Sequence, residues 1–192
     1  MPLLARDDVE RGTEVAALAA AAREGDREAF RRLFEAHQRG VYTLLAYLVG
    51  SPDDAADLAQ TTFVKAWRAL PGLREPATFT AWLYRIARNA VRDHQRKTAR
   101  RVPVVALPAA AEEATAGAEA DLLAEERREA VRRAVTSLPA KHREVVAMHH
   151  LNGLDVRTIG EVLGVPTNTV ISRLSRARQT LRRALTSVVE EG

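Results

Sequence analysis

Apolar residues recur at three- and four-residue intervals along almost the whole chain, and no stretch alternates apolar with polar as a half-buried strand would. The pattern predicts an all-α protein. Residues 26–49 read as one helix, with Phe30, Leu33, Phe34, Val41, Leu44, Leu45 and Leu48 on its buried side and Gly50 to end it. The next helix has a clear start. Ser51 is a good N-cap, Pro52 suits the first helical position, and Asp53 and Asp54 favour the positive helix end. It runs to Leu70 and stops at Pro71-Gly72; after the loop LREPAT a further helix covers about residues 78–97. Helices are predicted again over 121–136, 140–151, 156–163 and 167–187, with breaks at Leu138-Pro139 and Asn152-Gly153. Residues 1–20 read as a weakly specified, alanine-rich lead-in.

The character changes at residues 102–120. VPVVALPAAAEEATAGAEA carries prolines, alanines and three glutamates with no basic residue, so it reads as a flexible, mildly acidic linker. The expected organisation is two small helical domains: an N-terminal extension (1–21), a helical bundle (22–100), a linker (101–121) and a C-terminal helical domain (122–190). Each such domain has a modest core, so a stabilising partner fits.

The net charge of +4 over 192 residues fits a polyanionic partner without identifying one. With no cysteine, disulfides and thiolate metal sites are excluded. The five histidines lack the spacing of a metal pair on one helix face, and ordinary surface or core roles explain them. No metal or other cofactor is expected. There is no run of about 18 apolar residues to span a membrane, and the start lacks the basic-then-apolar order of a secretory signal. The expected compartment is the cytoplasm. No phosphate loop, nucleophile elbow or metal constellation is present, so no catalytic residue is assigned.

Residues 156–183 carry the features of a helix-turn-helix. Such a unit needs a small residue where its helices cross, a glycine in the turn and an apolar residue packing the second helix on the first. Gly160, Gly164 and Val170 supply these, with Asp155 and Thr167 available as caps. At 100° per residue, Val170, Leu174, Ala177 and Leu181 fall on one stripe. Asn168, Ser172, Ser175, Arg176 and Gln179 fall on the far side, free to enter a major groove. Residues 170–185 carry five arginines and no acid, a pattern suited to guanine edges and phosphates.

The first half offers two further faces. On the 52–70 helix, Ala55, Ala59, Thr62, Phe63, Ala66 and Leu70 share one side, while Asp57, Gln60, Thr61, Val64 and Arg68 share the other. That outer face suits a protein contact or plain solvent equally. On the 78–97 helix, Arg85, Arg88, Asn89, Arg92 and Arg96 share a sector opposite Leu83, Ile86, Ala87, Ala90 and His94. Seven basic residues stand against one acid from Phe79 to Arg101. Phe79, Trp82 and Tyr84 crowd the helix start. A cationic track beside aromatic rings is how proteins hold unstacked single strands. Phe79 reads as core, and Trp82 and Tyr84 as either core or stacking surface.

Taken in order and spacing, GDREAFRRLFEAHQRGVY, the D-x-A-D-L-x-Q-x-x-F-x-x-A-W core at Asp54–Trp67, AWLYRIARNAVRDH, LPAKHREVV and GxxLGVPTNTVxSRLxRAR resemble the extracytoplasmic-function (group IV) sigma factors of bacterial RNA polymerase. The resemblance covers about residues 22–100 (sigma region 2) and 122–187 (region 4). It implies that Asp54, Asp57, Gln60 and Thr61 meet the β′ clamp helices of core polymerase, and that region 4 meets the β flap. It implies that the 71–77 loop, with Leu73 and Arg74, captures a flipped non-template base of the −10 element. Trp82, Arg85, Arg88, Asn89 and Arg92 would read and melt that element. Thr167, Asn168, Ile171, Ser172, Ser175 and Arg176 would read the −35 element. Promoter DNA, core polymerase and an anti-sigma factor are the implied partners, with no insertion into a membrane beyond tethering by such an inhibitor.

The chain departs from the family pattern at Thr61, where an acid is usual, and at Ile171, where a basic residue is common. Regions 1.1 and 3 are absent by this reading, the lead-in has no counterpart, and no sensory domain is expected after region 4. Two rivals remain. A helix-turn-helix regulator with a region-4-like module leaves Asp54–Trp67 unexplained, and a polymerase-binding protein that never reads DNA leaves the arginine-rich helix unexplained.

Overall fold

The computed structural model describes residues 3–98 and 129–190. The predicted linker, 101–121, lies outside them. Every element of the described residues is helical. Four helices make the first half: α1 (Leu3–Arg23), α2 (Arg27–Val49), α3 (Pro52–Ala69) and α4 (Phe79–Thr98). Between α3 and α4 the chain makes two 3₁₀ turns, Leu70–Gly72 and Pro76–Thr78. The second half holds α5 (129–137), α6 (Ala140–Val146) continuing into a π turn (Ala147–Leu151), α7 (Val156–Leu163) and α8 (Thr167–Glu190).

Local chemistry sets these boundaries. The Asp26 carboxylate accepts from Glu28 N at 2.8 Å and Ala29 N at 3.0 Å, which satisfies two orphan donors at the start of α2. Gly50 ends α2 in the left-handed region at φ +78°, its N–H donating to Ala46 O. Ser51 Oγ accepts from Asp54 N at 3.3 Å and caps α3, as the sequence predicts. Asp155 caps α7 through Arg157 N and Thr158 N. Thr167 is the first residue of α8 and not its cap; Thr169 N and Val170 N donate to Pro166 O.

The segment read as a lead-in requires correction. It is a helix, and its C-terminal half is packed: Ala19 is fully buried and Ala22 nearly so. Alanines gave no amphipathic contrast from which to see this. They bury because small side chains let α1 lie close against α2 and the two 3₁₀ turns.

In the first half, Leu33, Val41, Leu44, Leu45, Leu70, Phe79 and Leu83 are solvent-free. Phe34 meets Phe63 edge-on at 4.7 Å. His37 is buried among them, with Nδ1 at 2.9 Å from Leu33 O and Nε2 at 3.3 Å from Thr80 Oγ1. In the second half Val145, Met148, Ile159, Val162, Val170 and Leu174 are buried. The two halves share one continuous apolar cluster, and a smaller one gathers Val135, Leu138, Val146 and Ala177. Two separate modest cores were the sequence expectation; the packed halves bury more by sharing.

Candidate nucleic-acid interface

The helix-turn-helix is assembled as its residues require. Gly164 takes φ +66° after α7. At Gly160 a side chain would stand 2.9 Å from Val165 O, so only glycine lets the turn fold back this closely. Val170 and Ala177 are solvent-free and Leu174 is 5 % exposed. That orientation leaves Thr167, Asn168, Ile171, Ser172, Ser175, Arg176 and Gln179 exposed on one outward face. Ile171 is the apolar member of the group, at 47 % exposure.

Sequence reasoning missed a neighbour of this face. The start of α6 places Lys141 and His142 beside α8. Both ring nitrogens of His142 are buried without a hydrogen-bond partner. Its pKa is held below the usual histidine value by burial and then by the charges of Lys141, Arg176 and Arg173. The clue was the string AKHR, read only as part of a family signature.

On α4 the basic sector is where the periodicity puts it. Leu83, Ala87 and Ala90 are buried, while Arg85, Asn89 and Arg92 are exposed and Arg88 is half-buried. Phe79 is solvent-free, and Trp82 is half-buried with its ring 5.9 Å from that of Phe79. Tyr84 resolves as core at 3 % exposure, and burial raises its phenol pKa. Leu73 also points inward at 5 % exposure, and its carbonyl accepts from Arg23 Nη1 at 3.4 Å. Arg74 is exposed beside it. On α3, Asp57, Gln60, Thr61 and Val64 are exposed together, and Asp54 Oδ2 lies 3.7 Å from His94 Nε2.

The two halves meet across α4. Arg88 Nε pairs with Glu144 Oε1 at 3.0 Å, with side chains 13 % and 17 % exposed. Arg85 Nη2 donates to Glu161 O at 3.1 Å. Asn152 Nδ2 donates to Gly40 O at 2.8 Å. A Cβ at Gly40 would overlap the Tyr84 hydroxyl. Arg143 donates to Tyr47 O at 3.3 Å and Leu138 O at 3.1 Å, and burial lowers its pKa. Two of the α4 arginines are thus engaged by the second half, while Asn89 and Arg92 remain open.

Among the described residues no group of three or more His, Asp or Glu could hold a metal, and no helix is long and apolar enough to cross a membrane.

Comparison with known proteins agrees with this geometry. Residues 33–101 match the family model of sigma-70 region 2, and residues 128–181 that of sigma-70 region 4. The chain is 35 % identical over 167 residues to an ECF RNA polymerase sigma-E factor of Salmonella typhimurium, spanning 82 % of this chain and 87 % of the relative. Among solved structures it superposes on CnrH in complex with the cytosolic domain of CnrY, with TM-score 0.69 and 28 % identity over 91 % of this chain and 98 % of that one. It also superposes on the sigma factor RpoE of Bartonella quintana in complex with the anti-sigma factor NepR, with TM-score 0.66 and 25 % identity over 82 % and 96 %.

Proposed function

The chain belongs to the extracytoplasmic-function branch of the sigma-70 family, and from that premise we propose how its surfaces divide between polymerase and promoter. Such a protein is a non-catalytic subunit that gives RNA polymerase its promoter specificity, and this chain directs transcription initiation in that way. The observation that carries the residue-level reading is the one-sided build of α8, apolar side buried and reading side exposed.

In this reading α8 enters the major groove of the −35 element. Arg176 suits a guanine edge and Asn168 an adenine, and Ile171 can meet a thymine methyl group. Thr167, Ser172 and Ser175 reach base edges or phosphates. The exposed α4 residues Asn89 and Arg92, with Arg85, Arg88 and Trp82, track the melted −10 strand. Arg74 at the tip of the neighbouring loop takes part in base capture, with Leu73 supporting the loop from beneath. Asp54, Asp57, Gln60 and Thr61 on α3 meet the β′ clamp helices, and the second half meets the β flap. The buried Ala19 and Ala22 argue for counting α1 with the first working unit rather than as a separate extension. The structural relative in complex with NepR supports an anti-sigma partner here too. The cytoplasm, where polymerase works, is the proposed compartment, at the membrane face when an anchored inhibitor holds the chain.

Run-off transcription with bacterial core polymerase on the promoter of the chain's own gene tests this reading. A discrete start site that needs the protein, and that is lost with Arg88→Ala or Arg176→Ala, is expected. Specific duplex binding by the protein alone, without core-dependent initiation, would replace the reading with that of a free-standing regulator.

A further inference from the structure

We propose that Arg23, the last residue of α1, is a positioning residue for base capture: it fixes the peptide plane between Leu73 and Arg74 and so presents the Arg74 N–H to an unstacked base. The proposal rests on the assignment of the 71–77 loop to that base.

The loop is closed at both ends and open in its middle. At its start Leu73 N donates to Leu70 O at 2.9 Å and completes the first 3₁₀ turn. At its end Thr78 N and Thr78 Oγ1 both donate to Glu75 O, and Glu75 Oε1 accepts from Ala77 N at 3.4 Å. Pro71 and Pro76 stiffen the two turns, each holding its own φ at about −65°. Residues 73–75, between the turns, belong to no helix, so no helical ladder sets the direction of their peptide groups.

Two anchors reach this middle span. The Leu73 side chain is buried, and the Leu73 carbonyl accepts from Arg23 Nη1 at 3.4 Å. The first anchor fixes a point; the second fixes a rotation. In a planar trans peptide the C=O and the following N–H point in opposite directions. A Leu73 carbonyl turned toward α1 therefore turns the Arg74 N–H away from it. That N–H makes no hydrogen bond to the described residues, and Arg74 is exposed. An unstacked base offers acceptors of the matching kind along its edge.

Arg23 is itself held. Ala19 and Ala22 are buried just before it, which seats the end of α1 against both 3₁₀ turns. Its Nε pairs with Glu24 Oε1 at 3.2 Å, which orients the guanidinium and leaves Nη1 for the carbonyl. Without that donor the peptide plane can turn, and a captured base must then bear the cost of ordering it.

The test uses holoenzyme assembled with bacterial core polymerase and a single-stranded non-template oligonucleotide from the promoter of the chain's own gene. One abasic site is moved along the −10 element, and binding is read by fluorescence anisotropy. Wild type should lose affinity most at one position, and Arg74→Ala should lessen the loss at that position. Arg23→Met keeps the aliphatic stem and removes the donors. It should weaken the intact oligonucleotide about fivefold, as loss of one long charge-assisted hydrogen bond would, and leave the oligonucleotide that is abasic at the captured position unaffected. Arg23→Lys, which keeps a donor, should recover part of the loss, and Arg23→Ala repeats the comparison without relying on the packing of the stem. The Tm of the free chain and affinity for a −35 duplex should stay as in wild type. Equal weakening of the intact and abasic oligonucleotides, a parallel fall in −35 affinity, or wild-type binding by Arg23→Met and Arg23→Ala would overturn the positioning role while base capture stands. A wild type indifferent to the abasic site at every position, or a loss that Arg74→Ala leaves unchanged, would remove the assignment of the loop, and the role of Arg23 with it.

Discussion

Replacing Gly160 by alanine adds one methyl group at the crossing of α7 and α8. That methyl carbon would stand 2.9 Å from Val165 O and 3.8 Å from Thr167 N. The oxygen is backbone, and the same residue's N–H donates to Gly160 O at 3.0 Å, so the turn cannot yield without loosening its own hydrogen bond. Inserting a methyl group into packed surroundings costs about 1–3 kcal/mol. Alanine in place of glycine within a helix returns about 1 kcal/mol. The net expectation is a loss of up to about 2 kcal/mol, or a fall in Tm of up to about 8 °C for a chain of this size. Because the displaced atoms begin α8, −35 duplex affinity should weaken with stability, by several-fold in fluorescence anisotropy. Thermal and denaturant unfolding of the full chain measure the first effect. A variant about 1 kcal/mol more stable than wild type would refute the reasoning: only the propensity gain would then be at work, and the crossing would have room.

The same turn supplies a control in Gly164→Ala. No atom lies within 4 Å of that position, but φ is +66°, so backbone strain of about 1–2 kcal/mol is the only cost, readable in the same unfolding experiments. Asp155→Ala should remove about 1 kcal/mol by uncapping α7. Partial burial alone would raise the Asp155 pKa, but hydrogen bonds from Thr158 and Arg157 pull it below the ordinary value. Its contribution is therefore present above about pH 4 and lost as pH falls through the lower folded value, a loss absent from the variant in acid titration. Burial depresses the His37 pKa below 6.5 despite the Leu33 carbonyl. The unfolded chain then binds the proton first, so stability should fall as pH drops below about 6.5, and His37→Gln should remove part of that slope. Burial also lowers the pKa of His142 and His150, so both add to the slope in the same direction. Arg176→Lys should cost about 1–3 kcal/mol of discrimination at one −35 base pair, checked by competition between duplexes, since lysine lacks the paired donors.

Helix boundaries were legible wherever the sequence carried punctuation. Ser51, Gly50 and Asp155 each act in the structure through the hydrogen bond or torsion angle that made them readable, and Pro71-Gly72 lie in the 3₁₀ turn that follows α3. The faces of α3, α4 and α8 followed from periodicity because their apolar and polar sides differ sharply. Three things escaped. α1 packs through alanines, whose burial leaves no contrast to detect. Tyr84 was left open between core and stacking surface, because an aromatic at a helix start suits both, and Leu73, which the family resemblance gave to base capture, is buried; only tertiary contacts decide such cases. Lys141 and His142 lie beside α8 on a different helix, and proximity across elements is not a sequence pattern.

The deeper omission concerns Arg88 and Glu144. Each reads locally as an ordinary charged residue on an amphipathic helix, 56 positions apart. Nothing in either segment announces the pairing, because it depends on how two modules dock and not on how either folds. Yet the docking has a physical motive visible in the sequence: helical modules this small gain by sharing a core. A polar, partly buried ion pair on one rim of a shared apolar core fixes how the two halves dock, while the apolar cluster supplies the burial that favours docking. Glu144→Ala should therefore lower the stability of the free chain, because it leaves the Arg88 guanidinium mostly shielded from water without its carboxylate partner.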